Sequence, residues 1–374
     1  MLHIAYVEPF WGGSHRAVAE GWAGRSRHEI RFHALPARFW KWRMRGAAFA
    51  FARALALERD PIDLLWVTDL VDLAHLRALL PRRVPAVLYF HENQAAYPWR
   101  AGEAAADRDL QYAFTNLASA LAADRVLFNS AFQRDAFFHE MDRLLRRMPD
   151  ARPLWALDRI RERTAVLHPG VELADIPPRP APDGGPPVVL WNHRWEHDKA
   201  PEVFFGVLER LAARGVAFRV AVAGESFSRV PRVFERARRV LEGRILQWGF
   251  VPDRRRYAEL LVRCDVVVST ARQENFGLSV VEAAFAGAHP LVPDRLAYPE
   301  VLPVAWHPAC LYADEADLER RLEGLLAGRA GRLPVSVLRD GVSRFAWEQR
   351  APAFDAEAEA VKGSAGFGRR GFVL

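Results

Sequence analysis

Short, continuous apolar runs recur along this 374-residue chain, with helical patterns between them. Residues 64–67, 86–90 and 125–128 are runs of this kind, and each is followed by polar residues. Strands that are apolar on both faces and alternate with helices are typical of a parallel sheet that is covered on both sides. The pattern therefore predicts a doubly wound α/β fold, in which ligands bind at the carboxyl ends of the strands.

The first residues of the chain fit the start of such a fold. Residues 2–7 predict a strand, and Gly12, Gly13 and Ser14 follow it as a glycine turn. A helical pattern over residues 16–22 comes next. A glycine turn at this place suits a backbone that approaches a ligand closely, although glycine also permits sharp turns for structural reasons alone.

A proline- and glycine-rich stretch at residues 176–187 divides the chain. Proline disfavours both helix and strand, so this stretch predicts a linker. A second series of apolar runs follows, at residues 188–191, 218–223, 245–248, 266–269 and 290–292. We therefore predict two similar Rossmann-like domains, residues 1–175 and 188–346, that face each other across a cleft. A last helix is predicted over residues 347–362, packing back toward the first domain, and a flexible tail over residues 363–374.

The composition excludes several classes of protein. Two cysteines, Cys264 and Cys310, are too few for a disulfide framework. No apolar run approaches the roughly 20 residues that a membrane span needs, and the N-terminus lacks the pattern of a secretory leader. We therefore expect a cytoplasmic protein without a membrane partner. The formal charge of +6 and the pI near 9.7 modestly favour anionic partners.

Two cations follow the first predicted strand of the second domain. Arg194 and Lys199 lie where a parallel sheet binds ligands, and together they suit a diphosphate, since arginine offers a bidentate contact and lysine a point charge. Stabilising the charge of a departing diphosphate is a recurrent requirement of group transfer. The alternative is an exposed basic loop in which Glu196 or Asp198 neutralises the cations.

Two carboxylates lie eight positions apart in the same domain. Glu274 follows the predicted strand at residues 266–269, and Glu282 lies on the next helix. Each can accept hydrogen bonds from sugar hydroxyls, one from a hexose and one from a ribose. The loop between them offers backbone N–H groups to the same ligand, from Asn275, Phe276, Gly277 and Leu278. The alternative is a helix-capping Glu274 and a solvated Glu282.

Cations and aromatic residues alternate in the first domain between residues 38 and 45. The segment contains Arg38, Trp40, Lys41, Trp42, Arg43 and Arg45. Cations bind phosphates and aromatic rings stack on unpaired bases, which is how proteins commonly recognise an RNA loop. An amphipathic helix with inward tryptophans and solvated arginines is an equally good interpretation of the residues alone.

A polar loop follows the strand at residues 86–90. His91 ends that strand, and Glu92, Asn93 and Gln94 extend the loop toward the predicted cleft. His91 could position an acceptor or hydrogen-bond a sugar as the reaction proceeds, and a purely structural histidine is the alternative. His15, after the glycine turn, is a weaker candidate.

His193 and His197 raise the question of a metal site. Two histidines at this spacing converge on one ion only within a helix, whereas this segment leaves a predicted strand. It also lacks a third soft ligand. The sequence therefore predicts no metal centre.

The pattern of the second domain resembles the retaining glycosyltransferases of the GT-B fold, in the large family-four group. In that group the first glutamate is associated with hexose hydroxyls, the second with ribose, and the Arg/Lys pair with the diphosphate. The resemblance implies these roles for Glu274, Glu282, Arg194 and Lys199. It also implies that the glycine loop of Gly12, Gly13 and Ser14 approaches the donor's phosphates.

Four further blocks are more specific, namely residues 8–15, 35–46, 91–94 with Tyr97 and Pro98, and 191–199. They resemble the tRNA-queuosine α-mannosyltransferase family, and the similarity runs over about residues 1–350. That resemblance implies transfer of mannose from GDP-mannose to the cyclopentenediol of queuosine in tRNA-Asp, with no obligatory metal or other cofactor. It implies two partners, a nucleotide-sugar and the queuosine-containing anticodon loop of a tRNA.

Two other functions stay open at this point. One is an enzyme of the same fold that uses a UDP-sugar on a lipid or small-molecule acceptor. The other is a non-catalytic RNA-binding protein on a glycosyltransferase scaffold. Residues 248–253 are expected to line the nucleobase pocket, but they do not distinguish guanine from uracil, and the sequence sets no oligomeric state.

Overall fold

A computed structural model describes residues 1–97, 110–181, 184–225 and 230–365. Pro98, residues 182–183 of the predicted linker and residues 366–374 of the predicted tail lie outside this range. Two compact units make up the chain, residues 1–170 with 347–374, and residues 171–346. Residues 171–175 thus belong to the second unit.

The first unit is built on a six-stranded parallel sheet of order β2-β1-β3-β4-β5-β6. Its strands are β1 (His3–Trp11), β2 (Glu29–Pro36), β3 (Leu64–Thr68), β4 (Ala86–Phe90), β5 (Arg125–Phe128) and β6 (Thr164–Val166). Its helices up to residue 170 are α1 (Gly13–Ala23), α2 (Trp40–Ala56), α3 (Leu73–Leu79), α4 (Leu110–Ala122), α5 (Ala131–Arg146) and α6 (Trp155–Arg161).

The strands of this sheet are apolar on both faces because each face carries a separate core. Leu65 and Val67 of β3 pack into one core, with α2, α5 and α6. Leu64 and Trp66, the alternate residues of the same strand, pack into the other core. Alternation along a strand thus sends successive side chains to opposite sides of the sheet.

The second unit repeats this architecture with a parallel sheet of order β12-β11-β10-β7-β8-β9. Its strands are β7 (Val188–Trp191), β8 (Arg219–Val222), β9 (Ile245–Trp248), β10 (Val266–Val268), β11 (His289–Pro293) and β12 (Leu311–Tyr312). Its helices are α7 (Pro201–Ala213), α8 (Arg232–Val240), α9 (Arg254–Leu261), α10 (Leu278–Ala286), α11 (Tyr298–Val301), α12 (His307–Cys310), α13 (Glu315–Leu326) and α14 (Val335–Ser343).

The last helix, α15 (Trp347–Ala365), belongs to the first unit. Asp355 on this helix accepts hydrogen bonds from Trp22 Nε1 at 2.8 Å and from Ser26 Oγ at 2.6 Å. Glu357 forms an ion pair with Arg125 at 2.8 Å. Polar contacts of this kind are directional, so they fix where the helix lies on the first unit.

Both sheets are parallel and flanked by helices, so the predicted doubly wound α/β class is confirmed. Among the helices of the described residues, none combines the length and the apolar character that crossing a membrane requires.

Candidate functional site

The carboxyl ends of β7 and β10 bring together the two segments that the sequence singled out in the second unit. These strands are neighbours in the sheet, with Val189 opposite Val266. The segment after β7 contains Lys199, and the segment after β10 contains Glu274. Adjacent parallel strands end at the same edge, which is where doubly wound sheets bind ligands.

Lys199 is the centre of this arrangement. It ends a short 3-10 helix, His197–Lys199, and its side chain is only 8% exposed. Its Nζ lies 2.6 Å from the Gln273 carbonyl oxygen, 3.2 Å from Asp198 and 3.4 Å from Glu274. Lys199 is buried, so the exposed loop of the alternative is wrong for this residue, but Asp198 does pair with it as that alternative expected.

Lys199 and Glu274 stabilise each other's charged form. Burial would lower the pKa of Lys199, but the carboxylates of Glu274 and Asp198 outweigh it and raise the pKa. Burial would raise the pKa of Glu274, but Lys199, together with His193 and Arg194, outweighs it and lowers the pKa. The site therefore presents the buried Lys199 cation beside the Glu274 anion, whose side chain is 19% exposed, at neutral pH.

The backbone around this pair is tied down on both segments. Arg272 N donates to the Asp198 carbonyl at 2.7 Å, and Thr270 Oγ1 donates to the Lys199 carbonyl at 2.8 Å. A side chain at Gly224 would clash with the carbonyl of His193, so only glycine fits beside this loop. The His193 ring is itself buried, and burial lowers its pKa to about 4.

Helix α10 begins directly after the Glu274 loop. Gly277 precedes the helix with φ +94°, a left-handed conformation that favours glycine. Phe276 is buried and packs edge-on against Phe345, with ring centroids 5.0 Å apart. Glu274 does not cap the helix, so the alternative of a capping Glu274 is wrong. The first turn of the helix therefore begins four residues after Glu274 along the chain.

Arg194 differs from Lys199 in its surroundings. Its side chain is 44% exposed, and its Nη2 lies 3.4 Å from Glu196. The structure thus brings Lys199 and Glu274 together while Arg194 remains half-exposed beside its own carboxylate.

Glu282, on α10, lies in a second polar group. Arg254 Nη1 contacts its Oε1 at 2.5 Å, and the Tyr257 hydroxyl lies 3.4 Å from its Oε2. Asn192 Nδ2 donates to the Tyr257 hydroxyl and to the Ser279 carbonyl, both at 2.9 Å. The Glu282 side chain is 15% exposed, so the alternative of a solvated Glu282 is wrong. Burial raises its pKa despite the opposing effect of Arg254.

Three residues of this group were missed as site residues by sequence reasoning. Asn192 lies within the block at residues 191–199, whose pattern predicts no role for it, whereas Arg254 and Tyr257 lie on α9, far along the chain from Glu274 and Lys199. A repeated arginine followed by one tyrosine at residues 254–257 carries no pattern that would predict contact with Glu282.

A second polar cluster lies in the first unit, at the carboxyl ends of β1, β3 and β4. Asp69 follows β3 and accepts a hydrogen bond from His91 N at 2.8 Å. Glu8, on β1, lies 2.9 Å from His15 Nδ1, and the rings of His15 and His91 stack with centroids 4.1 Å apart. All four of these side chains are buried.

Protonation differs sharply between the two stacked rings. Burial would lower the pKa of His15, but Glu8 outweighs it and raises the pKa to about 9. Burial and the neighbouring His15 lower the pKa of His91 well below its usual value. Burial raises the pKa of Asp69 to about 8. His15 is thus the charged ring at neutral pH, and His91 the neutral one.

The donor atoms of Glu8, His15 and His91 lie within 4.8 Å of one another, a spacing at which a metal ion could be held. Glu8 and His15 already neutralise each other as an ion pair, so we interpret the group as that pair beside a neutral ring. The absence of a metal centre stays a prediction.

The remaining residues of the loop after β4 are tied to each other and to α4. Gln94 Nε2 donates to Glu92 Oε1 at 3.3 Å, and Gln94 N donates to Asn116 Oδ1 at 3.0 Å. Asn93 Oδ1 accepts from Ala96 N at 2.9 Å. Asn93 and Gln94 are buried and Glu92 is partly exposed.

The glycine loop ends at the N-terminus of α1. Gly12 is extended, and a Cβ at this position would lie 2.7 Å from the Cβ of Ala37. Gly13 has φ +51°, in the left-handed region, while Ser14 is exposed. The close approach of Ala37 therefore requires glycine at position 12, and the left-handed backbone favours it at position 13, whether or not the loop also binds a ligand.

The cationic and aromatic segment forms the start of α2 and divides into two kinds of residue. Trp40 packs on Tyr112 with ring centroids 5.3 Å apart, and Lys41 lies over the Trp40 ring. Trp42 is 80% exposed. Arg38, Lys41 and Arg45 are also exposed, Arg43 is partly exposed, and Arg45 contacts Gln111. The alternative of an amphipathic helix with inward-packing tryptophans therefore holds for Trp40 and is wrong for Trp42.

Two family models match this chain. One is the N-terminal model of tRNA-queuosine alpha-mannosyltransferase, over residues 3–171, and the other is glycosyl transferases group 1, over residues 174–323. A curated relative from Drosophila melanogaster, described as tRNA-queuosine alpha-mannosyltransferase, is 34% identical over 313 residues, which cover 80% of this chain and 82% of the relative.

Solved structures share the fold across nearly the whole chain. Sucrose-phosphate synthase from Thermosynechococcus elongatus superimposes with a TM-score of 0.72 at 15% identity, covering 97% of this chain and 100% of that one. An E. coli structure described as trehalose-6-phosphate bound with UDP-2-fluoro glucose has a TM-score of 0.68 at 12% identity, covering 96% and 99%. These similarities confirm the predicted GT-B fold.

Proposed function

Since the chain belongs to the tRNA-queuosine alpha-mannosyltransferase family, we propose that it transfers mannose from GDP-mannose to the cyclopentenediol of queuosine in tRNA-Asp. The chain is a hexosyltransferase of that family. The observation that carries the proposal is the pair of Lys199 and Glu274, 3.4 Å apart at the carboxyl edge of the second sheet, with side chains 8% and 19% exposed. A cation and an anion fixed side by side suit a ligand that is anionic at one end and hydroxylated at the other.

In the proposed donor complex, the diphosphate binds Lys199, Arg194 and the N–H groups at the start of α10. Glu274 accepts hydrogen bonds from the hexose hydroxyls and Glu282 from the ribose. A helix N-terminus favours negative charge, and its unpaired N–H groups point at the ligand. These contacts strengthen as the diphosphate takes up charge, so they lower the barrier to its departure.

The reaction proceeds with retention of configuration. The bond between the hexose C1 and the diphosphate oxygen breaks while a bond from the acceptor hydroxyl oxygen to C1 forms on the same face. The hydroxyl proton passes to an oxygen of the departing phosphate. No enzyme carboxylate serves as nucleophile, and Glu274 acts as a positioning group for the hexose.

The first unit supplies the proposed acceptor site. His91 is neutral and lies at the carboxyl end of β4, so it can exchange hydrogen bonds with a hydroxyl without carrying charge. Glu92, Asn93 and Gln94 continue the loop beyond it. At the start of α2, the exposed Trp42 and its neighbouring cations match an unpaired base and its phosphates.

The decisive experiment measures GDP release from GDP-mannose in the presence of tRNA that contains queuosine. Nucleoside analysis by mass spectrometry should show one added hexose on queuosine, and tRNA that lacks queuosine should show none. Transfer from a UDP-sugar to a lipid or small molecule would instead support the alternative enzyme. That alternative merits the parallel assay because the E. coli structure of the same fold binds UDP-2-fluoro glucose.

A non-catalytic RNA-binding role predicts no transfer from any donor. The pair of Lys199 and Glu274 argues against it, because an ion pair that is largely withdrawn from solvent contributes little to stability compared with apolar packing.

Arg43→Ala and Trp42→Ala should weaken tRNA binding in distinguishable ways. Loss of the Arg43 cation is expected to reduce the magnitude of the slope of log affinity against log salt concentration by about one, which corresponds to one phosphate contact. Loss of the exposed Trp42 ring should lower affinity by about tenfold or more and leave the slope unchanged. Filter binding over a series of KCl concentrations measures both quantities.

Arg53→Ala, which removes an exposed cation near the far end of α2, is the matched control. All three variants should bind GDP as the unaltered protein does. Equal losses of tRNA and GDP affinity in Arg43→Ala and Trp42→Ala would mean that residues 38–45 have only a structural role.

Arg254→Ala should weaken binding of the donor nucleotide through Glu282. Arg254 lowers the pKa of Glu282, so its removal leaves a buried carboxyl that is protonated more readily and is a poorer acceptor for ribose hydroxyls. We expect GDP affinity to fall by about tenfold, with a larger loss at low pH than at high pH. Isothermal titration with GDP and 2′-deoxy-GDP measures the effect, and the deoxy analogue should lose less.

The control for this variant is Arg255→Ala, since Arg255 is 89% exposed and pairs with Glu259. If Arg254→Ala lost the same affinity for GDP and for 2′-deoxy-GDP, Glu282 would not be the residue that recognises the ribose.

A further inference from the structure

Glu8 and His15 lie on either side of residues 9–14, which contain the glycine loop and are called the glycine segment here. Glu8 lies on β1, and His15 lies in the first turn of α1, with residues 9–14 between them. Glu8 Oε2 lies 2.9 Å from His15 Nδ1, while Glu8 Oε1 accepts a hydrogen bond from Phe10 N at 2.7 Å. One carboxylate therefore holds both the start of the segment and the helix that follows it.

Stability alone is a poor reason for this pair. The Glu8 side chain is fully buried and that of His15 is 11% exposed. A buried ion pair contributes little net stability because desolvation offsets the attraction. A cation in the first turn of a helix is also opposed by the helix dipole, and Glu8 offsets that repulsion.

The same pair determines the surroundings of His91. The His15 ring stacks on the His91 ring at an interplanar angle of 26°, and Tyr89 packs edge-on against His91 with centroids 4.9 Å apart. Asp69 holds the backbone of His91 from the adjacent strand end. The charged and titratable groups that face His15 are Glu8 on β1, Asp69 after β3, and His91 and Glu92 after β4.

We propose that the Glu8–His15 ion pair is a positioning pair for the transfer reaction, which fixes the glycine segment and holds the His91 imidazole in one orientation. This inference rests on the proposed function, because His91 belongs there to the proposed acceptor site. Neither Glu8 nor His15 needs to touch a substrate for the pair to act. Its effect reaches the reaction through the segment that it closes and through the ring that it stacks on.

The single variants His15→Gln and Glu8→Gln test the pair. In the double variant, the two glutamines can still form an uncharged hydrogen bond. Each single variant should lose about 10–100-fold in kcat, with the KM for the donor changed by less than about threefold. The double variant should lose no more than the worse single variant, because both substitutions remove the same interaction. A merely structural role would lower Tm and leave the kcat of the folded protein unchanged.

The chain provides a matched control in His3 and Glu29. These residues form another histidine–glutamate pair at 2.9 Å, at the amino-terminal ends of β1 and β2, where both are partly exposed. His3→Gln should leave kcat and its pH dependence unchanged.

The pH profile gives a second readout. The pKa of His15 is raised to about 9, so its charge in the folded protein is present at neutral pH and is lost as pH rises through about 9. The kcat of the unaltered protein should therefore fall above about pH 9, and His15→Gln should lack this limb.

Nitrogen chemical shifts of ¹⁵N-labelled histidine test the proposal independently of any substrate. At neutral pH His15 should be doubly protonated and His91 neutral, and in His15→Gln the pKa of His91 should rise because a neighbouring cation is lost. A neutral His15, an unchanged His91 or normal kinetics in the single variants would overturn the proposal. Stoichiometric zinc binding that is lost in His15→Gln would overturn it as well.

Failure of the proposed function would appear differently. The unaltered protein would then release no GDP with queuosine-containing tRNA, while the histidine shifts would still report on the pair.

Discussion

Glu274→Gln should fold normally and lose about 10²–10³-fold in kcat, a transition-state effect of roughly 3–4 kcal/mol. Glutamine keeps the shape of the buried side chain but removes the charge that Lys199 holds in place. The hexose hydroxyls would then meet a weaker acceptor as the diphosphate departs. Steady-state kinetics with GDP-mannose and queuosine-containing tRNA, with circular dichroism as a check of folding, measures the change.

Glu202→Gln is the control for this substitution, because Glu202 is half-exposed and pairs with Arg272 beside the same loop. It should retain full activity. Near-normal transfer by Glu274→Gln would remove this residue from the donor site, whatever the stability of the variant.

Lys199→Ala should also lose most transfer, but it differs from Glu274→Gln in stability. Removing the cation leaves Asp198 and Glu274 close together without the lysine between them. Breaking a buried ion pair in this way costs about 3–5 kcal/mol. Since the pKa of Glu274 is lowered in the folded protein, the pair's stabilisation is present at neutral pH and is lost as pH falls through that lowered value.

The sequence predicted the central strands of each sheet better than the edges. β3 and β4 are buried throughout, so they appear as continuous apolar runs. β2, by contrast, is partly exposed along its length and mixes Glu29, Arg31 and His33 with apolar residues. It was not predicted as a strand, because a half-exposed edge strand lacks the apolar run of a central one.

The candidate site shows the same division between local and tertiary information. Lys199 and Glu274 were predicted to lie near the ligand because each follows a strand, and parallel strands end at one edge. The contact of Glu282 with Arg254 depends on how α9 packs beside α10, which no local pattern specifies. Likewise, the pattern of residues 38–45 could not decide that Trp40 packs on Tyr112 while Trp42 is exposed.

Trp347→Ala should destabilise the first unit by about 3–5 kcal/mol, which is the range for removing a large buried aromatic side chain. Trp347 begins α15, is 1% exposed, and lies between Gly21 and Gly170. A side chain at either glycine would clash with its indole ring, so the ring fills the space that both glycines leave. Urea unfolding followed by circular dichroism measures the loss, and Trp42→Ala, at an exposed position, should have little effect on stability.

Gly21→Ala separates this packing from a general effect of losing a tryptophan. In the presence of Trp347 the new methyl group clashes with the indole, so Gly21→Ala alone should be destabilising. In Trp347→Ala the same methyl group enters the vacated space, and alanine is also the better helix former within α1 by about 1 kcal/mol. The double variant should therefore be more stable than Trp347→Ala alone. Additive losses in this cycle would mean that α15 is held by its polar contacts, such as those of Asp355, rather than by the fit of Trp347 between the two glycines.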